Sequence, residues 1–570
     1  MKASDWIAEF VAAQGTSHVF EVVGGMITHL VDSFHRRGAP RLVSVRHEQG
    51  ASFSADAWGR VAGTPGVAMA TSGPGAVNLL TGVGSCHFDS SPAVFITGQV
   101  NRHEQKGTRG VRQLGFQETD IVGMAGPVTK AALRVTRAED LAVTFEEAFR
   151  TALSGRPGPV LVDIPMDLQR VDMTAPIRRI APETARRPPA GAVSEALEVL
   201  SRAERPLILV GGGLRASRAR DSFRAFADGL GVPVIYSLMA VDALPWGHPL
   251  RAGFVGSYGN RWTNLAVGRA DAILVLGSRL DIRQTGADVK AWRGGRKIIH
   301  VDNDPSEMNN RIEGCIAVQS DLAAFLEDAG GLDRKAAPDR SAWQAEIAAL
   351  RGQWPEEAEI PDPKGLNPNV FIQRLSEASQ AASGFCVDVG QHQMWAAQSV
   401  RLTAEQSFHT SGGMGAMGFA LPAAVGACFA SGGKPWVVVA GDGGFQLNIQ
   451  ELQTVVHHRL PVKMVVLNNG CHGMVRQFQE SYFDGRYAST LEGYSAPDFS
   501  AVAKAYGIPS RRAKGHETAA GLEALWKDPQ APFLLEVEIS PSANAYPKIA
   551  FGRPMTEMEP QSKPIEMEGT

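Results

Sequence analysis

Residues 435–470 read PWVVVAGDGGFQLNIQELQTVVHHRLPVKMVVLNNG. Two short, wholly apolar runs, each closed by small or polar residues, flank a segment of helical length. Runs of this kind are buried on both faces, as the strands of a parallel sheet are, and the intervening segment is long enough for a right-handed crossover helix. The same unit recurs along the chain as VAMATSG, AVFITGQ, LILVGGG, AILVLGS and IIHVDND. The class is therefore α/β, and ligands are expected at the carboxyl ends of the strands. At 570 residues the chain exceeds what one hydrophobic core sustains. Two Pro- and charge-rich stretches, RRIAPETARRPPAG (178–191) and EEAEIPDPKGLNP (356–368), lack apolar periodicity and read as linkers. They divide the chain into three doubly wound parallel-sheet domains, 1–175, 190–335 and 365–545, followed by an irregular tail, 546–570, which reads as either a flap or a frayed end.

Within the opening stretch, Gly441-Asp442-Gly443 ends the first strand, residues 444–467 intervene, and Asn468-Asn469 ends the next. Both polar tips leave neighbouring strands. Magnesium takes hard oxygen ligands and keeps phosphate oxygens in its shell, so a carboxylate on one loop and an amide on the next suit a diphosphate anchor. Gly441 and Gly443 let the backbone approach the phosphates.

Composition bounds the partners. A formal net charge of -3 gives no bulk attraction for nucleic acid or an anionic membrane, leaving small molecules as the expected partners. The five cysteines are scattered without zinc or disulfide spacing, which reads as a reducing compartment. The start, MKASDWIAEFVAAQG, is broken by Asp5 and Glu9 and reads as an amphipathic helix rather than a signal peptide. No apolar run is long enough to span a bilayer, and the expected location is cytoplasmic.

The spacing GDG, 24 residues, NN resembles the cofactor motif of thiamine diphosphate enzymes. The likeness extends through RHEQGASFSADAWGR (46–60), TSGPGAVNLLTGV (71–83), GFQETD (115–120), VGQHQMWAAQ (389–398), GGMGAMGFALPAAVGA (412–427) and LPVKMVVLNNGCHGMVRQ (460–477), which are similar to the FAD-containing acetohydroxyacid (acetolactate) synthases. That family implies a pyrimidine-binding domain, a central FAD-binding Rossmann-like domain and a diphosphate-binding domain. Its members are homodimers or homotetramers whose active sites lie at the subunit interface. They decarboxylate a 2-oxo acid such as pyruvate and join the remainder to a second carbonyl compound.

The resemblance also assigns residues. Glu48 is the carboxylate that exchanges a proton with the pyrimidine, and Met417 is the apolar prop that bends the cofactor. Gly25 and Gln117 face the reacting carbonyl. Lys130 aligns with an active-site lysine, although its residue type equally suits a solvated position. Asp442, Asn469 and the backbone carbonyl of Cys471 hold Mg2+, with no nucleophilic role for the thiol. The remaining thiamine diphosphate contacts are Pro74, Asn78, Gln391, His392, Gly415, Gly441, Gly443, Gly444, His472, Gly473 and Met474. In the middle domain Gly212, Gly213, Gly256, Ser257, Arg279, Asp281, Arg283 and Asp302 form the FAD set, and Arg283 also matches the arginine that grips the carboxylate of the second 2-oxo acid.

Three departures bear on the acceptor. Phe478 stands where the family usually carries tryptophan, the first loop reads VVGG rather than YPGG, and NRHEQKGTRGVRQLGFQE (101–118) inserts residues before Gln117. Arg102, Lys106, Arg109 and Arg112 in that insertion (102–114) read either as a solvated loop or as a grip for an anionic acceptor, such as a nucleotide-linked keto sugar or a coenzyme A thioester. A protein that binds the cofactors without turnover, serving as a regulatory subunit, is the reading from another class. Intact Glu48, Met417 and Gln117 count against it.

Overall fold

The computed structural model describes residues 1–181, 183–332, 338–360 and 365–565. Parts of four sequence expectations lie outside those residues: part of each of the two linkers, the end of the middle domain and the last five residues of the tail. The first sheet holds β1 (His18–Val22), β2 (Arg41–Ser44), β3 (Gly66–Ala70), β4 (Ala93–Gln99), β5 (Ala131–Arg134) and β6 (Pro159–Pro165) in the order β2-β1-β3-β4-β6-β5. The second holds β7 (Pro206–Val210), β8 (Val234–Tyr236), β9 (Arg251–Phe254), β10 (Ala272–Leu276), β11 (Lys297–Asp302) and β12 (Ile316–Gln319) in the order β12-β11-β10-β7-β8-β9. In the third, β13 (Gly384–Val387), β14 (Ser407–Thr410), β15 (Trp436–Gly441), β16 (Val462–Asn468), β17 (Ser510–Ala513) and β18 (Phe533–Glu538) run β14-β13-β15-β16-β18-β17. All pairings in the three sheets are parallel. The outer two sheets share one topology, and the middle one has the strand order of a dinucleotide-binding fold.

Register sets up the sites. Gly441 pairs with Leu467, so β15 and β16 leave the sheet together, with Asp442 one residue beyond the pair and Asn469 two. Val210, Leu276 and Val301 likewise stand side by side, so Gly211, Gly277 and Asp302 emerge at one edge.

The first and third domains meet through two helices, α1 (Glu48–Ala62) and α2 (Ala420–Ala430). Their contact surfaces are Ala, Ser and Gly, which allow backbones to touch: a Cβ added at Gly426 would lie 2.0 Å from the carbonyl oxygen of Ser54. The Ser54 hydroxyl donates to Pro422 O at 2.8 Å, and Phe53 meets Phe419 edge to face. Arg60, near the end of α1, is buried between Asp56 and Asp89 and donates to Thr410 O of the third domain. Gly63 closes α1 at φ +68, a left-handed turn that glycine takes without strain.

Two expectations change. The stretch from 356 is no solvated linker at its start: Glu359 is buried in a fork-to-fork pair with Arg261 at 2.7 Å on both prongs, and Glu356 accepts from Gln373. A buried carboxylate needs such a partner. Nor is the described tail frayed. Lys548–Ile549 and Met558–Glu559 pair antiparallel, Ile549, Met555 and Met558 join the middle domain's core, and Ile549 N donates to Ser257 O at 2.8 Å.

Candidate active site

At the carboxyl edge of the third sheet, a cavity of about 390 Å³ opens between the ends of β13, β15 and β16. Gln391, His392, Met417, Gly441, Asp442, Gly443, Gly444, Asn469, Cys471, His472, Gly473 and Met474 all line it, while Gly415 lies in the loop leading to Met417. Asp442 is buried, which raises its carboxyl above the usual range, and Tyr494 OH donates to it at 2.9 Å. Asn469 donates to Gln391 Oε1 at 3.2 Å; Gln391 in turn donates to Gln477, which is clamped to the backbone of Ala545 by bonds in both directions.

Among the described residues no group of three or more His, Cys, Asp or Glu side chains could hold a metal unaided. One carboxylate, one amide and one backbone carbonyl supply hard oxygens but leave half of an octahedral shell open. That donor set fits magnesium shared with a diphosphate. His392 strengthens the fit: burial lowers its pKa to about 3, keeping the ring neutral, and its Nε2 is buried without a partner. Such an atom is costly unless a ligand meets it. Gly390 and Gly441 make room for the ring, since a Cβ on either would come within 3.0 Å of it. Burial pushes the Cys471 thiol up to about 11, so it stays protonated, in keeping with its lack of a nucleophilic role.

A second cluster forms at the carboxyl edge of the first sheet. Glu48 opens α1 and accepts from Asn78 Nδ2 at 3.0 Å; a Cβ on Gly75, next to Pro74, would lie 3.1 Å from Glu48 Oε1. Gly25 is exposed beside Gly24, whose backbone presses on Thr71. Gln117, at the left-handed φ of 65, packs its Cβ against Gly73. Gly25, Glu48, Pro74, Asn78 and Gln117 thus share one edge, yet none of them lines the cavity of the third domain.

Lys130 does not join them. It precedes β5 at the amino end of the sheet, where its ammonium donates to Thr151 O and Ser154 O, both at 2.5 Å. The helix Leu141–Leu153 ends there with carbonyls that lack intrahelical partners, and a lysine satisfies them. The active-site reading of Lys130 is therefore corrected to a helix cap. Lys130→Met is expected to leave kcat within about twofold while lowering stability by about 1–3 kcal/mol, read by chemical denaturation beside a rate assay.

In the insertion, Arg102 pairs with Asp167 at 2.7 Å, and Glu118 ties the loop by accepting from Lys106 N and Leu114 N. Arg109 and Arg112 are exposed, and Phe116 is 78% exposed beside Gln117.

The middle domain presents a cleft at the switch between β7 and β10, walled also by Phe88 and Arg156 of the first domain and Met394 of the third. Gly212, Gly213, Ser257, Arg279, Asp281, Arg283 and Asp302 line it. Gly213 packs on Gly277, and a Cβ there would lie 2.7 Å from Gly277 Cα. Gly256 stands behind the wall, where its missing Cβ allows Ser257 N to donate to Arg283 O at 2.6 Å. Asp281 caps the turn Ile282–Thr285. The carboxylate of Asp302, pushed up to about 6 by burial, accepts only from Asp304 N among the described residues, so it offers acceptor capacity at the strand end where a dinucleotide's adenosine would sit. Arg283 is exposed, its guanidinium carbon 5.9 Å from the ring centre of Tyr258.

Two carboxylates were not anticipated. Asp388 accepts from Val389, Gly418 and Ala420 N–H groups at 2.8–2.9 Å and so fixes the loop that carries Met417; burial pushes it up to about 6. Glu451 accepts from Arg46 N and His47 N and so fixes the turn before Glu48.

Models of three thiamine pyrophosphate enzyme domains match the chain: the N-terminal TPP binding domain over residues 1–124, the central domain over 193–329 and the C-terminal TPP binding domain over 388–537. The chain is 36% identical to the acetolactate synthase isozyme 2 large subunit of Escherichia coli, covering 98% of this chain and 99% of that one. It is 35% identical to the acetolactate synthase large subunit of Corynebacterium glutamicum, over 95% and 87% of the two chains, and 34% identical to that of Lactococcus lactis, over 97% and 95%.

Proposed function

Because the chain belongs to the thiamine pyrophosphate enzyme family, among the acetolactate synthase large subunits, we propose that it decarboxylates pyruvate and joins the remaining two-carbon unit to a second 2-oxo acid. The observation that carries the reading is the placement of Asp442 and Asn469 just beyond two neighbouring strand ends, beside the partnerless His392, set against likeness along nearly the whole chain. Thiamine diphosphate, when bound, supplies the electron sink that lets carbon dioxide leave.

The chain's residues do the rest. Asp442, Asn469 and the Cys471 carbonyl would hold magnesium, with the His392 ring beside them at the diphosphate. Met417, fixed through Asp388, would prop the cofactor's bend. Glu48, oriented by Asn78, would move a proton at the pyrimidine ring nitrogen, Gln117 would donate to the reacting oxygen, and Gly25 leaves space for the substrate. The middle cleft would hold FAD in a structural role, and Arg283 would receive the carboxylate of the second acid.

The Glu48 edge and the diphosphate cavity belong to different domains and do not share a wall within one chain. We therefore read the working unit as a homodimer, or a tetramer of such dimers, in which one copy's first domain covers its partner's third. No helix among the described residues is long and apolar enough to cross a membrane, and a cytoplasmic location is proposed on that footing.

Relatives named as acetolactate synthases along their full length favour a 2-oxo acid acceptor over a keto sugar or thioester. The engagement of Arg102 with Asp167 weakens the anion grip further. Incubating the protein with pyruvate, magnesium and thiamine diphosphate is expected to give acetolactate. Carbon dioxide release without a ligated product would overturn the reading. A flavin absorbance spectrum of the purified protein tests the FAD assignment separately.

A further inference from the structure

The amino ends of β13, β14 and β15 border a second cavity, on the side of the third sheet opposite the diphosphate pocket. It encloses about 590 Å³ between the third domain, the segment of the middle domain that follows β7, and the end of α1 in the first domain. Its charged groups divide into two sets. Arg60 is consumed by Asp56 and Asp89, and Arg215 by both oxygens of Asp242 and by Phe408 O. Arg218 and Arg220 each donate one hydrogen bond, to Ala62 O and Gln406 O, and Lys434 makes no ion pair or hydrogen bond among the described residues. Facing these three cations are two exposed carboxylates: Glu405, which has no ion pair among the described residues, and Asp221, which lies 3.7 Å from Arg224.

The wall also carries a buried imidazole. His409 is 2% exposed, and its Nδ1 has no hydrogen-bond partner. Burial, with Arg215, Arg60 and Arg220 nearby, holds the ring neutral, so one of its nitrogens keeps a hydrogen to donate. Partnerless buried polar atoms are rare in folded proteins and call for a ligand or water. Ser383 and Ser407, at the same rim, present hydroxyls without a partner among the described residues. Cations, a neutral donor and free hydroxyls around a space larger than inorganic phosphate describe a site for a phosphate group carried on a polar body.

We propose that this cavity binds a phosphorylated, hydroxyl-bearing metabolite, its phosphate held by Arg218, Arg220 and Lys434 and its body by His409, Ser383 and Ser407. The site shares no lining residue with the proposed catalytic cavity, adjoins the dinucleotide cleft across Met239, and joins all three domains. Occupancy there stabilises the folded chain by mass action.

Calorimetry on the holoprotein, loaded with thiamine diphosphate, magnesium and flavin so that those sites are filled, tests this with ribose 5-phosphate, inorganic phosphate and ribose. Expected is saturable binding of one ribose 5-phosphate per chain, more weakly of phosphate, and none of ribose. Arg220→Ala and Lys434→Ala should each weaken it roughly tenfold. Neither residue serves the catalytic or cofactor sites, so product formation without the probe should be unchanged and the melting temperature of the probe-free variants should stay near that of the parent. The proposal fails if neither phosphate probe binds, if ribose binds as well as its phosphate, or if Arg220→Ala and Lys434→Ala both bind ribose 5-phosphate undiminished.

Discussion

Glu48→Gln is expected to lower turnover roughly 10²–10⁴-fold while leaving cofactor affinity close to that of the parent protein. Glutamine keeps the length of the side chain and can still accept from Asn78, so the start of α1 and the edge it shares with Gly75 should persist. What it loses is the ability to take and return a proton. The two effects separate in one pair of measurements: carbon dioxide release from pyruvate at saturating cofactor, and calorimetric titration of thiamine diphosphate. Turnover near the parent's would remove Glu48 from the chemistry. A parallel collapse of cofactor affinity would make it a binding residue instead.

Asp442→Ala should have the complementary signature. The carboxylate is the one charged protein oxygen proposed for the metal, and its removal also strands Tyr494 OH, which donates to it. Even distant supports of a metal site are worth 10–100-fold in affinity, so loss of this ligand should weaken magnesium-dependent cofactor retention by at least about 100-fold. Dialysis against a chelator, followed by recovery at increasing magnesium and thiamine diphosphate, reads it directly. Activity should return in part at high cofactor, which Glu48→Gln would not allow. Equal retention in the variant and the parent would refute the anchor.

The sheets were legible because their strands are continuous apolar runs that end in Gly, Asp or Asn, as in WVVVAGD and MVVLNNG. The pairing of Gly441 with Leu467 then brings the expected metal ligands side by side. What escaped was partnership between distant segments. Lys130 looked like a site lysine because the helix end that needs its ammonium is formed by other residues, Thr151 and Ser154. Glu359 falls in a stretch that reads as a linker because Arg261, which neutralises it, lies far earlier in the chain. Asp388 and Glu451 bind backbone N–H groups, which every sequence has and none advertises. Arg156 came to the middle cleft from a loop with no dinucleotide signal at all.

The contact between Gly426 and the Ser54 carbonyl leaves no space for the two helices to slide or separate without exposing their small-residue faces. First and third domains of one chain are thus set as a single block, with the Glu48 edge and the diphosphate cavity held apart on it. On the proposed arrangement a solitary chain cannot fold over to complete its own site. Dilution would then act as an off switch, and specific activity would depend on how much protein is in the tube before it depended on how much substrate.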